Sequence, residues 1–177
     1  PNTKDLRSFH EQTKLNKLLE TINKEKQNFS SKIPIAVKVS PDIDDLEIKK
    51  IAEVLLSNNI EVVIISNSSD SSRDSLNNIQ KHQKGGLSGK PIEEKSTKLI
   101  SKFYKILNGR IKIIGVGGVD SGQGAFEKIS AGANAVQLYT GMIYKGPGIV
   151  KEIKQELIGI LKKEKIKNIS EAIGINS

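Results

Sequence analysis

A chain of 177 residues with a hydrophobic fraction of 36% and only 4% aromatics is long enough for one domain whose core is mainly Ile, Leu and Val. The absence of cysteine excludes disulfides, thiolate metal sites and cysteine nucleophiles, and suits a cytosolic setting. The net charge of +8 admits an anionic partner, but the lysines are scattered on polar helix faces, as at Lys49-Lys50 and Lys162-Lys163, so no nucleic-acid partner is expected.

Pro1-Asn2-Thr3 opens the chain without an initiator Met, so an N-terminal portion is expected to be missing. Leu15, Leu18, Leu19 and Ile22 form a helical stripe over 12–24. The apolar run from Ile33 to Val39, bounded by Pro34 and Pro41, reads as a buried strand. Asp44 and Glu47 have capping-box spacing and open a helix bearing Ile48, Ile51, Ala52 and Leu55. Val62 to Ile65 is a second strand, followed by a polar loop from Ser66 to Gly89 whose length points to a function. A helix from Ser96 to Leu107 ends at Asn108-Gly109, and Ile111 to Val116 is the third strand. Ser121 caps a short helix with Ala125, Phe126 and Ile129; Ala135 to Leu138 is the fourth strand. A long helix from about Pro147 to Lys162 and a final turn near Ser170 to Ile173 close the chain. No run of about 18 apolar residues is present to span a membrane.

Continuous apolar strands alternating with amphipathic helices imply an α/β fold with a parallel sheet. Four such units fit a small doubly wound sheet or half of a (β/α)₈ barrel. Glycine order favours the barrel. Gly115-Val116-Gly117-Gly118 ends the third strand and Gln137-Leu138-Tyr139-Thr140-Gly141 ends the fourth, where backbone N–H groups and a Thr hydroxyl can meet a phosphate. In (β/α)₈ enzymes that site follows the last two strands, whereas an open dinucleotide fold places its glycine turn after the first.

Lys38 lies within the apolar strand Ile35-Ala36-Val37-Lys38-Val39, expected to be buried on both faces, where an unpaired ammonium is costly. It therefore requires an anion, solvent at a frayed strand end, a flavin ring carrying charge near N1 and O2, or a role as a Schiff-base lysine. Ser66-Asn67-Ser68 closes the second strand with groups suited to a small polar substrate or to an ordinary turn. Gly85-Gly86-Leu87-Ser88-Gly89-Lys90-Pro91 lacks nucleotide P-loop spacing and reads as a loop closing over a flat ligand. His10 and His82 read as surface residues, and Asp42, Asp44 and Asp45 as helix-start carboxylates; no metal-ligand set is visible.

Taken in order, these segments resemble the dihydroorotate dehydrogenases, specifically the class 2, quinone-linked branch. Pro1-Asn2-Thr3 with Leu6-Arg7, Val37-Lys38-Val39-Ser40-Pro41-Asp42, Ser66-Asn67-Ser68, the Gly85 to Pro91 loop, Ile113 to Val119, Gln137 to Thr140, Tyr144-Lys145-Gly146-Pro147 and Glu171-Ala172-Ile173-Gly174 carry the likeness, which covers nearly the whole chain. The resemblance implies that 1–177 is the C-terminal half of a single FMN-binding (β/α)₈ TIM-barrel domain, about its last four βα units, oxidising dihydroorotate to orotate in pyrimidine synthesis with a quinone as acceptor. It implies cofactor contacts from Lys38, Ser66, Gly89, Gly118, Tyr139 and Thr140, and substrate contacts from Asn2, Asn67 and Ser68, with Thr3 matching a family Thr near proton abstraction. The family more often has Thr at Ser66 and Ser68; both retain a hydroxyl.

The class 2 catalytic base is a Ser just before the Pro-Asn-Thr segment, so the base is expected before Pro1 and none is expected within the chain. The resemblance places the quinone site in an N-terminal part and the full-length enzyme peripherally on the cytoplasmic side of the inner membrane. Beside the less favoured basic nucleic-acid binder, which predicts steeply salt-dependent binding, two other readings stay open. One is a different phosphate-binding barrel enzyme, such as a lyase using Lys38 covalently; the other is a non-catalytic half-barrel that self-associates through its open edges.

Overall fold

The computed structural model describes residues 6–29, 32–71, 73–74 and 76–177. Asn2 and Thr3 lie outside the described residues. The strands are β1 (Ala36–Val39), β2 (Val62–Ile65), β3 (Lys112–Val116) and β4 (Ala135–Gln137). The helices are α1 (Gln12–Gln27), α2 (Asp45–Ser57), α3 (Glu93–Leu107), α4 (Gly122–Ser130), α5 (Thr140–Lys145) and α6 (Ile149–Lys163).

All neighbouring strands pair in parallel, in the order β1-β2-β3-β4, with Lys38 opposite Ile64, Ile64 opposite Ile114, and Val116 opposite Gln137. This sequential order separates the two architectures left open above. A doubly wound sheet reverses direction at a switch point, which sends helices to both faces. Here the order never reverses, and right-handed crossovers then put every helix on one side. The packing agrees, because α1 meets α2, α2 meets α3, α3 meets α4 and α4 meets α6 in succession.

Side-chain burial alternates accordingly. Val39, Val63, Ile65 and Ile113 point into the layer between sheet and helices, where they meet Leu15, Leu19, Ile51, Leu55, Ile100, Phe103 and Leu107. Ala36, Lys38, Ile64, Ile114, Val116 and Gln137 alternate with them and are exposed or half-buried. Lys38 is therefore not buried on both faces. It stands exposed on the uncovered face of an edge strand, and its ammonium is solvated. The continuous apolar run suggested two covered faces, but among the described residues only one is covered.

Local signals explain most boundaries. Asp44 and Glu47 form the reciprocal capping box, with each backbone N–H 2.8 Å from the other side chain. Asn108 adopts the left-handed conformation at the end of α3, and the Ser121 hydroxyl accepts the Gly124 N–H at the start of α4. The first strand begins at Ala36 instead of Ile33, because Pro34 has no N–H for the ladder and Ile33 remains exposed. Helix α3 begins at Glu93, three residues before the expected start at Ser96. Helix α5 has no counterpart in the sequence reading; none of its residues is buried, so it carries no apolar stripe.

Candidate functional site

Parallel strands bring their C-terminal ends to one rim, and a cavity of about 650 Å³ opens there. Its lining draws on every strand end: Lys38 from β1, Ser66 to Ser68 after β2, Val116 to Asp120 after β3, and Leu138 to Gly141 after β4. The glycine-rich segment from Gly86 to Ile92 forms a further wall. Lys38, Ser66, Gly89, Gly118, Tyr139 and Thr140, together with Asn67 and Ser68, thus surround one space despite lying about a hundred residues apart at the extremes.

Backbone pairing sets the positions of the β2 end. The Ser66 N–H donates to the Val116 carbonyl at 3.2 Å and the Asn67 N–H to the Val39 carbonyl at 2.9 Å, so the sheet continues for two residues past the strand. Ser66 is buried, with its hydroxyl 3.1 Å from the Asn67 carbonyl, while the Asn67 side-chain oxygen accepts the Ser68 N–H at 2.9 Å. Asn67 stays exposed, leaving its amide nitrogen directed to other partners.

At the other end of the cavity Thr140 and Ser88 share a hydroxyl–hydroxyl bond of 2.9 Å, tying the long loop to the end of β4. A side chain at Gly89 would come within 2.9 Å of the Thr140 methyl, so glycine is what lets these segments touch. The turn at Gly117-Gly118 lies against the start of α3, and among the described residues the N–H groups of Gly118 and Thr140 donate to no backbone carbonyl. The donors of α4 are less free than its position suggested: the Gly122 N–H bonds to Glu156 at 2.5 Å and that of Gly124 to Ser121. The glycine turn itself, ahead of the helix, is what faces the cavity.

Lys90, Asp120, Tyr144 and Lys145 also line the space, although the sequence reading gave none of them a site role. The Lys90 ammonium lies 2.6 Å from Glu93 and 3.8 Å from Asp120, and Glu93 holds it above the ordinary lysine range. The Lys145 ammonium donates to the Asp120 carbonyl at 2.8 Å.

The long loop is anchored at its base. Ser69 and Leu87 form an antiparallel bridge with bonds of 2.8 and 2.6 Å, and Arg73 donates to the carbonyls of Gln83 and Gly85. Asp42 proves to be part of this anchor and not a helix cap: its carboxylate accepts the Ser69 hydroxyl at 2.6 Å, the Asp70 N–H at 2.7 Å and the Lys95 ammonium at 2.5 Å. Burial alone would raise the Asp42 pKa; the Asp70 N–H, Lys95 and Ser69 outweigh it and hold the carboxyl below its usual range. Being depressed on folding, it stabilises the folded chain above the unfolded carboxylate pKa, and that contribution is lost as pH falls through the folded value. Asp42→Asn is expected to speed proteolytic cleavage between Ser69 and Leu87 at neutral pH and to flatten the acid dependence of that cleavage. An unchanged cleavage rate at both neutral and acid pH would show that the anchor does not hold the loop.

His10 is half-buried, with its Nε2 accepting the Ser40 N–H at 3.2 Å, so it fastens the segment before α1 to the end of β1 and is not a surface residue. His82 is exposed. Among the described residues no group of His, Cys, Asp and Glu stands together as a metal site, and no helix is long and apolar enough to cross a membrane.

A sequentially ordered parallel sheet, covered by helices on one face and opening at its C-terminal rim into a glycine-lined cavity, defines a (β/α)-barrel chain, the cavity lying at the end where such barrels bind their ligands. The family model described as Dihydroorotate dehydrogenase matches residues 1–161, and the chain belongs to that family. It is 37% identical over 174 residues to Dihydroorotate dehydrogenase (quinone) of Cereibacter sphaeroides, covering 98% of this chain and 49% of that protein. It is 40% identical over 178 residues to the mitochondrial Dihydroorotate dehydrogenase (quinone) of Mus musculus, covering 99% and 45%. The crystal structure of DHODH from Eimeria tenella in complex with ferulenol superposes with a TM-score of 0.94 at 35% identity, over 99% of this chain and 51% of that one. The match to quinone-named relatives places the chain in the class 2 branch. The chain spans about half the length of these relatives.

Proposed function

We propose that residues 1–177 form the C-terminal half of a single FMN-binding barrel, and that the whole enzyme oxidises dihydroorotate to orotate with a quinone as acceptor in pyrimidine synthesis. The observation that carries this reading is the convergence of Lys38, Ser66, Asn67, Ser68, Gly89, Gly118, Tyr139 and Thr140 on one cavity at the strand ends.

The residues fit the cofactor. The cavity's 650 Å³ falls within the range of roughly 300–1,000 Å³ usual for cofactor sites. Gly89, Gly118 and Thr140 offer backbone donors and a hydroxyl suited to a phosphate; the solvated Lys38 stands on β1, across the sheet from Thr140 at the end of β4, and the apolar Val116 and Leu138 complete the lining. FMN, when bound, supplies the hydride acceptor. Lys38 places positive charge beside the ring region where a reduced flavin is anionic, and Ser66 offers its hydroxyl at the same edge. Gly89, Gly118, Tyr139 and Thr140 hold the phosphate end, and Asn67 and Ser68, with Asn2, orient the substrate's polar edge. Holding substrate and cofactor in register is the contribution of these residues to rate. The class resemblance supports peripheral placement of the full-length enzyme on the cytoplasmic side of the inner membrane.

Titration of the chain with FMN and with riboflavin, followed by flavin fluorescence, tests the reading. FMN is expected to bind about tenfold or more tightly than riboflavin, because only FMN engages the phosphate end. Equal affinities, or binding of neither flavin, would count against it, and borohydride trapping of a carbonyl substrate on Lys38 would replace it with the lyase reading. The outer edges of β1 and β4 are unpaired among the described strands, which supports self-association of the chain; sedimentation of the same samples at several concentrations checks this.

A further inference from the structure

Lys128, on α4, takes no part in the site just described, yet it is 0% exposed. A lysine buried in a helix-packed layer needs a reason, because an ammonium is costly to remove from water. Burial pushes its pKa down to about 8, against the opposing pull of Glu93 and Glu127. All three of its donors are nevertheless used, and all on the first turn of α3: the Ser96 hydroxyl at 2.5 Å, the Thr97 hydroxyl at 3.0 Å and the Glu93 carbonyl at 3.3 Å.

The Ser96 hydroxyl is the useful contact. Lys128 donates to its oxygen, so the serine's own proton must go elsewhere. Two carbonyls lie in reach, that of Glu93 at 3.2 Å and that of Gly117 at 3.4 Å. Lys128 already donates to the Glu93 carbonyl, which leaves the Gly117 carbonyl as the acceptor in want of a donor. The peptide joining Gly117 to Gly118 is trans and planar, so its C=O and N–H point in opposite directions. Holding the Gly117 carbonyl towards α3 therefore turns the Gly118 N–H away from α3. Gly117 and Gly118 both line the cavity, and the Gly118 N–H has no backbone acceptor among the described residues.

A Gly-Gly peptide is the linkage least able to hold one orientation by itself, since neither residue has a side chain to restrict rotation. Packing limits where this turn sits: a side chain at Gly117 would meet the Ser96 hydroxyl at 2.9 Å. Packing alone does not decide which way the peptide plane faces. A hydrogen bond to its carbonyl does.

The geometry points to Lys128 and Ser96 as positioning residues that lock the Gly117–Gly118 peptide with its N–H presented to the phosphate of the cofactor. This role rests on the flavin reading above. The lysine acts through the serine and touches no ligand itself, so its effect is confined to recognition of the phosphate.

The test uses Lys128→Met, which keeps the length of the buried stem without the ammonium, and Ser96→Ala, which removes the relay with little change in volume. Each chain is titrated with FMN and with riboflavin, and the Gly118 amide is followed by ¹⁵N NMR against that of Gly109. Both variants are expected to lose about tenfold in FMN affinity while riboflavin affinity stays unchanged, and to shift the Gly118 amide while leaving Gly109 in place. A merely structural role would weaken both flavins in equal ratio, and that result overturns the proposal. So does a Gly118 amide that stays put in Ser96→Ala, the variant that keeps the assay decisive if Lys128→Met fails to fold. Should the unvaried chain bind neither flavin, the cofactor reading fails, but the Gly118 amide still decides the lock: moved by Ser96→Ala it supports it, unmoved it refutes it.

Discussion

Gly118→Ala is expected to unfold at a much lower urea concentration than Gly109→Ala, although the two glycines have nearly the same φ. Their φ angles are +77° and +76°, so each alanine incurs the left-handed penalty of about 1–2 kcal/mol. The surroundings differ. At Gly109 nothing lies within 4 Å of the new methyl, whereas at Gly118 it would sit 2.3 Å from the Glu93 Cβ and 2.9 Å from its Cα. The second contact is backbone and cannot swing aside, so the turn or the start of α3 must move, adding roughly 1–3 kcal/mol. Because the displaced turn lines the cavity, Gly118→Ala is also expected to lose FMN selectivity over riboflavin, and Gly109→Ala to retain it. Equal urea midpoints for the two variants would show that the approach of α3 to the turn is looser than the structure has it.

Phe103→Ala carries the other large effect. Phe103 is 0% exposed and lies in the main core beside Leu99, Ile100 and Leu107 of the same helix. Truncating it removes the buried ring and leaves a void under the sheet, a loss of about 3–5 kcal/mol. Urea unfolding at neutral pH measures it. The same helix presents Glu93 and Ser96 to the glycine turn at its other end, with Ile92 just ahead of it, so loosening its core anchor also loosens the support of the turn. A loss below about 1 kcal/mol would mean that the helix layer repacks freely around the site.

Features governed by neighbours a few residues away were legible in the sequence. The bounds of β2, the Asp44–Glu47 box and the Ser121 cap all follow from local spacing and match the structure. That the candidate residues other than Asn2 would share one cavity was legible too, because glycines and small polar residues at strand ends have a restricted set of uses, and parallel strands deliver those ends to one rim. What was not legible depends on which surfaces meet. Lys38 looked buried because an apolar run does not tell how many faces of its strand are covered. Lys128 carries no sequence signal that sets it apart from the other helix lysines; only the approach of α3 to α4 buries it. Asp42 sat in an acidic cluster that dipole and capping arguments explained, and its partners Ser69, Asp70 and Lys95 are 27, 28 and 53 residues away. Helix α5 escaped notice because the periodicity that reveals a helix records burial, and α5 buries nothing.

The bridge between Ser69 and Leu87 has a practical corollary. It ties the two feet of the long loop together next to Gly86, which lines the cavity. Lengthening a loop whose ends are already held costs only a slowly growing chain entropy, about 0.6 kcal/mol per doubling. The short 3₁₀ turn Ile79–His82, with Ile79 at 92% exposure, makes a natural graft site for a fluorophore or an affinity handle.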